Sequence, residues 1–258
     1  MNGQAGHRTT GAVLGAQIDV LSWEAAMSRL LGWARARESR YVTICNVHVV
    51  VSAARDAAFR QVINGSDMAT PDGAPVAWML RRLGFVGQPR ISGPDVMWAL
   101  CERAARDDVP VYCYGSTQAT LTLLETRLRA VFPALQVTME SPPFRALSVP
   151  EDAAAVDRIN ASAAGIVFVG LGCPKQERWM AEHRGRVQAV MIGVGAAFDF
   201  HAGTVKRAPV WMQRYGLEWL HRLASEPRRL WKRYLVTNTL FIWLAGRQLW
   251  RDRRGTQG

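Results

Sequence analysis

The feature that most restricts what this chain can become is an alternation. Short runs rich in Val, Ile and aromatic residues recur between longer segments of helical spacing. The runs at 40–45, 109–115, 135–140, 165–170 and 188–194 have the length and composition of buried strands. Between them, 117–131, 150–161 and 174–184 have the spacing of helices, and Thr117 and Ser148 stand where N-caps are needed. In a chain of 258 residues this order predicts an α/β fold, a mostly parallel sheet with helices on both faces.

A parallel sheet gathers its ligands at the carboxyl ends of its strands. The loops after Cys45, Gly115, Glu140, Gly170 and Val194 are therefore where chemistry is expected. Beyond Pro209 the strand signal ends, and Trp and Arg recur at helical intervals, with a helix start at Ser225-Glu226-Pro227. Two units are expected: an α/β domain over 1–201 and a helical C-terminal appendage over 202–258.

Charge separates the same two units. The formal net charge is +11, yet residues 202–258 carry twelve Lys/Arg against only Glu218, Glu226 and Asp252. So lopsided a surface is expected to meet something anionic. The apolar stretch at 235–246 is too short to span a bilayer, but it is flanked by Lys232, Arg233, Arg247 and Arg251 and accompanied by Trp231, Trp243 and Trp250. That pattern suits a helix lying in a membrane interface. The alternative is a core helix, or one packed against another copy of the chain in a homo-oligomer. Cys45, Cys101, Cys113 and Cys173 form no CxxC pair, and the first fifteen residues lack the apolar run of a signal peptide, so a reduced, cytoplasmic protein is expected.

Several segments place reactive side chains on turns. Pro71-Asp72-Gly73-Ala74-Pro75 puts a carboxylate on a tight turn before a helix, a position equally suited to capping. Arg90 precedes Ser92-Gly93-Pro94-Asp95, which opens another helix. Gly170-Leu171-Gly172-Cys173-Pro174-Lys175-Gln176-Glu177 runs from a strand through a glycine turn into a helix, an arrangement that favours anions. Gly193-Val194-Gly195 leads through a second glycine turn to Phe198-Asp199. Neither turn is a P-loop or a dinucleotide fingerprint. HExxH, GxSxG and Asp-x-Asp are absent, and the five histidines show no metal-ligand spacing, so no metal and no cofactor are expected. A nucleoside diphosphate bound here would have to be neutralised by arginines.

These segments occur in an order that resembles the WecG/TagA/CpsF glycosyltransferases, glycosyltransferase family 26, along nearly the whole chain. The resemblance rests on Asn46 after the first predicted strand, Pro71-Asp72-Gly73-x-Pro75, Arg90-x-x-Gly93-x-Asp95, Ser141-Pro142-Pro143-Phe144, Gly170-x-Gly172-x-Pro174-Lys175-Gln176-Glu177 and Gly193-Val194-Gly195-x-x-Phe198-Asp199. It continues through Arg207-Ala208-Pro209, Leu217-Glu218-Trp219-x-x-Arg222 and Glu226-Pro227-x-Arg229. It implies a Rossmann-like domain with a membrane-peripheral appendage on the inner face of the cell membrane. The implied reaction is inverting, metal-independent transfer of a sugar from a UDP donor to an undecaprenyl-diphosphate-linked sugar.

By the same resemblance Asp72 is the general base, Arg90 meets a substrate phosphate and Gln176 lies at the nucleotide site. Asn46, Gly172, Lys175 and Asp199 fall in the substrate-binding motifs, and Arg222, Arg229 and Arg233 come over the diphosphate when the appendage closes. Inversion does require one carboxylate to take the acceptor's proton, and guanidinium groups stabilise a departing diphosphate. One departure stands out. The family often has Thr-x-Asn after its first strand, and here Ile44 occupies the threonine position, with Thr43 one residue earlier. The expected donor is accordingly a hexose, with a β-1,4-glucosyltransferase of exopolysaccharide synthesis as the nearest comparison and an N-acetylmannosamine-type donor as the alternative. A non-enzymatic basic membrane-binding protein and a nicotinamide-dependent oxidoreductase are the rival classes. Nucleic acid is disfavoured, because the arginines are interleaved with an apolar helix and no RRM, KH or helix-turn-helix signature is present.

Overall fold

A computed structural model describes residues 8–255. The chain opens with a hairpin of β1 (Thr10–Val13) and β2 (Ala16–Asp19), then α1 (Trp23–Arg35), β3 (Arg40–Cys45), α2 (Val47–Arg55), α3 (Ala57–Asn64), β4 (Met68–Pro71), α4 (Ala74–Arg82) and α5 (Gly93–Arg106). It continues through β5 (Val111–Gly115), α6 (Gln118–Val131), β6 (Val137–Glu140), α7 (Val149–Ala161), β7 (Ile166–Gly170), α8 (Lys175–His183), β8 (Val190–Gly193) and α9 (Ala197–Ala202). Three helices close it: α10 (Val210–Arg214), α11 (Glu218–Ser225) and α12 (Pro227–Gly255).

Strands β3 to β8 form one six-stranded sheet in the order β4-β3-β8-β7-β5-β6, and every pairing in it is parallel. Side chains alternate across it as the two-residue period of a strand requires. Ile166 and Phe168 join Val42, Ile44, Val190 and Ile192 in a core that includes residues of α1, α5, α6 and α9. Val167 and Val169 point the other way, with Tyr41, Tyr112, Tyr114 and Met191, among residues of α7 and α8. Both faces are therefore covered, as a parallel sheet needs. The fold is the expected Rossmann-like α/β architecture followed by C-terminal helices.

A third core holds Cys45 and Ala69 of the sheet, residues of the hairpin and of α2, α3 and α4, and two residues of α12, Phe241 and Ala245. Gln248 of the same helix donates to the Ala12 carbonyl at 2.7 Å and accepts from the Leu14 amide at 2.9 Å. The distal half of α12 is thus tied to the hairpin by packing and by hydrogen bonds. The apolar stretch at 235–246 is the middle of this single helix, which at 1.5 Å per residue runs about 43 Å. Among the described residues, no helix is long and apolar enough to cross a membrane.

Candidate active site

The carboxyl ends of β3, β4, β7 and β8 bring the singled-out turns together. Pro71 ends β4, and the next amide, that of Asp72, donates to the Cys45 carbonyl at the end of β3 at 3.0 Å. Gly73 follows with φ of +81°, a conformation that side chains strongly disfavour, and α4 starts directly after it with Pro75 in its first turn. The Ile91 amide donates to the Pro71 carbonyl at 2.9 Å, which brings the Arg90 segment alongside. At Gly93 a Cβ would lie 3.1 Å from the Val194 carbonyl oxygen, so a small residue is needed where the start of α5 meets the end of β8.

On this frame stands a cluster of five charged side chains. Asp72 keeps about a fifth of its side-chain surface, 21%, and its Oδ1 lies 3.8 Å from Nε of Arg90. Burial pushes its carboxyl up, and the charges of Glu218 and Asp95 add to this, so that despite Arg90 its pKa is raised to about 6. A carboxyl poised there is ionised at neutral pH yet binds a proton better than an ordinary aspartate, the property wanted of a general base. Arg90 meets Asp95 at 3.9 Å and Glu218 at 2.9 Å. Arg207 meets Asp95 at 2.6 Å and Glu218 at 3.5 Å. Burial alone would raise the Asp95 carboxyl, but the hydrogen bonds from Arg207 and Ser92 outweigh it and leave the group below its ordinary value. The carboxylates are separated by guanidinium groups, and among the described residues no three His, Cys, Asp or Glu side chains converge as a metal site.

Of the expected residues, Asp72 and Arg90 are brought together. Asn46 caps α2, its Oδ1 accepting from the Val49 amide at 3.2 Å, and its side chain faces solvent at the end of β3. Gln176 is buried: its Oε1 accepts from the Gly172 amide at 3.2 Å and its Nε2 donates to Glu177 at 2.9 Å. A Cβ on Gly193 would come within 3.0 Å of that Nε2. Gln176 therefore braces the two glycine turns against each other, while Lys175 beside it is exposed. Asp199 is half-buried in the first turn of α9, its carbonyl accepting from Val205 and Thr204.

In the C-terminal helices Arg222 lies against Glu226, 3.9 Å away, and over the Phe200 ring at 5.1 Å. Arg233 is exposed and lines a hollow with His48. The side chain of Arg229 lies outside the described residues, as do residues 1–7. Thr43 is fully buried and its hydroxyl donates to Ser66, on the opposite side of β3 from Ile44. It does not stand in for a hydroxyl at position 44.

Three members of the charged cluster, Asp95, Arg207 and Glu218, lie within the quoted motifs but were not among the expected site residues. The signal that could have found Glu218 is compositional. One of only three carboxylates in so basic a segment needs a reason, and here the reason is the Arg90–Arg207 pair.

A parallel sheet with a carboxylate of raised pKa and paired guanidinium groups at its carboxyl edge has the arrangement of a Rossmann-like α/β enzyme. The sequence profile of the Glycosyl transferase WecG/TagA/CpsF family matches residues 12–255. The chain belongs to that family and is a glycosyltransferase. Among its relatives is a protein of Bacillus spizizenii, 31% identical over 196 residues, covering 76% of this chain and 74% of the relative. Another, from Bacillus subtilis, is 31% identical over 195 residues, covering 75% and 74%. Both are named N-acetylglucosaminyldiphosphoundecaprenol N-acetyl-beta-D-mannosaminyltransferase.

Proposed function

We propose that this enzyme transfers an N-acetylmannosaminyl group from a nucleoside-diphosphate donor to an N-acetylglucosaminyl-diphospho-polyprenol, with Asp72 as the general base. The observation that carries the reading is the Asp72 carboxyl, sheltered on a rigid turn, raised to about 6 and set beside Arg90. The acceptor hydroxyl attacks C1 of the donor sugar as the bond from C1 to the phosphate oxygen breaks. The hydroxyl proton passes to Asp72, and the nucleoside diphosphate leaves with the electron pair. One carboxylate opposite the leaving group gives inversion. Arg90 and Arg207 supply positive charge to the phosphates, so that chelators should leave the rate unchanged.

Glu218 now occupies the anion position on Arg90, and a substrate phosphate takes its place there. Arg222 of α11 and Arg233 of α12 add charge on the side of the appendage. The Rossmann-like domain over 1–201 supplies the base, and 202–258 supplies closure and membrane contact. The membrane reading is supported by exposed Trp211, Trp219, Trp231, Trp243 and Trp250 among basic residues.

The names of the relatives favour the N-acetylmannosaminyl donor over the hexose expected from the sequence. Ile44 supports the second reading, since it puts an apolar side chain where the family often has a threonine. The test is transfer from UDP-N-acetylmannosamine and from UDP-glucose to a polyprenyl-diphospho-N-acetylglucosamine in the presence of EDTA. The first donor is expected to be used and the second not. Transfer of glucose alone would reverse the donor assignment, and a strict metal requirement would overturn the role of the arginines.

A further inference from the structure

Two open hollows lie end to end between α2 and α12. The first, about 530 Å³, is lined by His48, Ser52 and Arg55 from α2 and by Lys232, Arg233 and Thr237 from α12. The second, about 660 Å³, is lined by Ala54 and Arg55 and by Leu235, Leu240, Trp243 and Leu244. Arg55 and Val236 line both, so the hollows form one trough. One end has hydroxyls, cations and no carboxylate, and beyond the shared Arg55 the other is lined by apolar side chains and Thr239.

The cationic end also holds an enclosed polar atom without a partner, Nδ1 of His48. His48 stands in the first turn of α2, directly after β3 ends at Cys45, which places this end at the carboxyl edge of the sheet. From there the trough follows α12 for about 18 Å, from Lys232 to Leu244 at 1.5 Å per residue. Its rim carries exposed Leu235, Val236 and Trp243, and Trp231 is exposed near the cationic end.

We infer that this trough holds the lipid part of the acceptor: its diphosphate at Arg55, Lys232 and Arg233, and its first isoprene units along Val236, Leu240 and Leu244. The inference rests on the reading of the chain as a transferase to a lipid-linked acceptor and gives that acceptor a place. Charge complementarity selects the orientation, because only the end nearest the catalytic turns attracts phosphate. A single track suits one polyisoprenyl chain better than the paired chains of a phospholipid. The exposed Trp-rich helix surface along the trough lets the rest of the chain pass into a membrane without crossing water.

The test is binding of geranylgeranyl diphosphate to the full-length protein, followed by calorimetry without donor, for the wild type and for Val236→Trp and Arg55→Glu. Both substitutions are at exposed positions, so folding is expected to survive, and circular dichroism checks it. Each variant should bind roughly tenfold more weakly, and inorganic pyrophosphate should bind the wild type about a hundredfold more weakly than the prenyl compound. Equal affinity for pyrophosphate, or unchanged binding by Val236→Trp, would overturn the trough. Displacement of the prenyl compound by phosphatidylglycerol vesicles but not by farnesyl diphosphate would assign it to phospholipid instead and overturn the proposal. Because binding is read without turnover, wild-type sugar transfer measured separately tells a failed trough from a failed transferase reading.

Discussion

The sheet's carboxyl edge and the C-terminal helices meet in one charged cluster, but they are held in place by different forces. Asp72 and Arg90 belong to segments pinned by main-chain hydrogen bonds to the ends of fully buried strands. Helices α10 and α11 contain no buried residue at all. Their contacts run through Glu218 to Arg90 and Arg207, through Arg222 to Phe200 and through Trp219 to Tyr234, before α12 regains apolar burial at Leu230, Phe241 and Ala245. The difference separates a rigid half, which carries Asp72, from a half whose first two helices have ion pairs and ring contacts but no buried residue. On the proposed function, substrate phosphates would compete for those same charges and so couple binding to closure.

That contrast is sharpened most by Arg90→Ala, which removes from the rigid half the group that pairs with both Asp72 and Glu218. Transfer should slow about 100-fold or more, as on losing a charge-stabilising donor. Unchanged kinetics would separate Arg90 from the reaction. Next comes the cost of poising Asp72. Its native carboxyl is raised to about 6 from an ordinary 3.8, so the native state holds a proton that the unfolded chain has already lost. Stability from this group is full below about pH 4, falls as the pH climbs towards 6, and is missing above it. Asp72→Asn should therefore stabilise the fold at pH 8 by up to about 3 kcal/mol and be neutral at pH 3.5, read by urea unfolding at both values. Destabilisation at pH 8 would show that the ionised carboxylate is a net structural asset.

The helical half gives a comparable effect of the opposite sign. Phe241→Ala empties an apolar site between α12 and the hairpin and should cost about 3 kcal/mol. Hydrogen exchange should report that loss in α12 and not in β3 or β8. A uniform loss through the sheet would erase the distinction between the halves. Smallest is Glu218→Gln, which removes the charge seating α11. Proteolysis between α10 and α12 should quicken by about tenfold. Because Glu218 is one of the charges raising Asp72, the acid limb of the rate profile should also move to lower pH. No change in either would show that the seating is not electrostatic.

Much of the rigid half was legible in the sequence. The run at 40–45 became β3 without adjustment, since its apolar residues are flanked by charge before and by a capping Asn46 after. The run at 109–115 was too long because Pro110 has no N–H to add to a ladder, and its carbonyl instead caps the approach to β7. The hairpin was missed for a specific reason. Its turn is Leu14-Gly15, with φ of 53° and 86°, and leucine gives no warning of a left-handed position. β4 is four residues ending in proline, below the length at which composition speaks. At the site, Asp72 and Arg90 were found by their motifs. The roles of Glu218 and Arg207 are not legible in the sequence because the contacts that join them to Arg90 and Asp95 span more than a hundred residues, which no local pattern encodes.

The most direct test of the central claim, that Asp72 is the base in glycosyl transfer, is the pH dependence of transfer for the wild type and for Asp72→Asn. The account predicts a wild-type rate that falls tenfold per unit below about pH 6, and a variant at least about 100-fold slower whose residual rate is flat over that range. A variant that keeps the wild-type rate, or that shows the same acid limb, would contradict it.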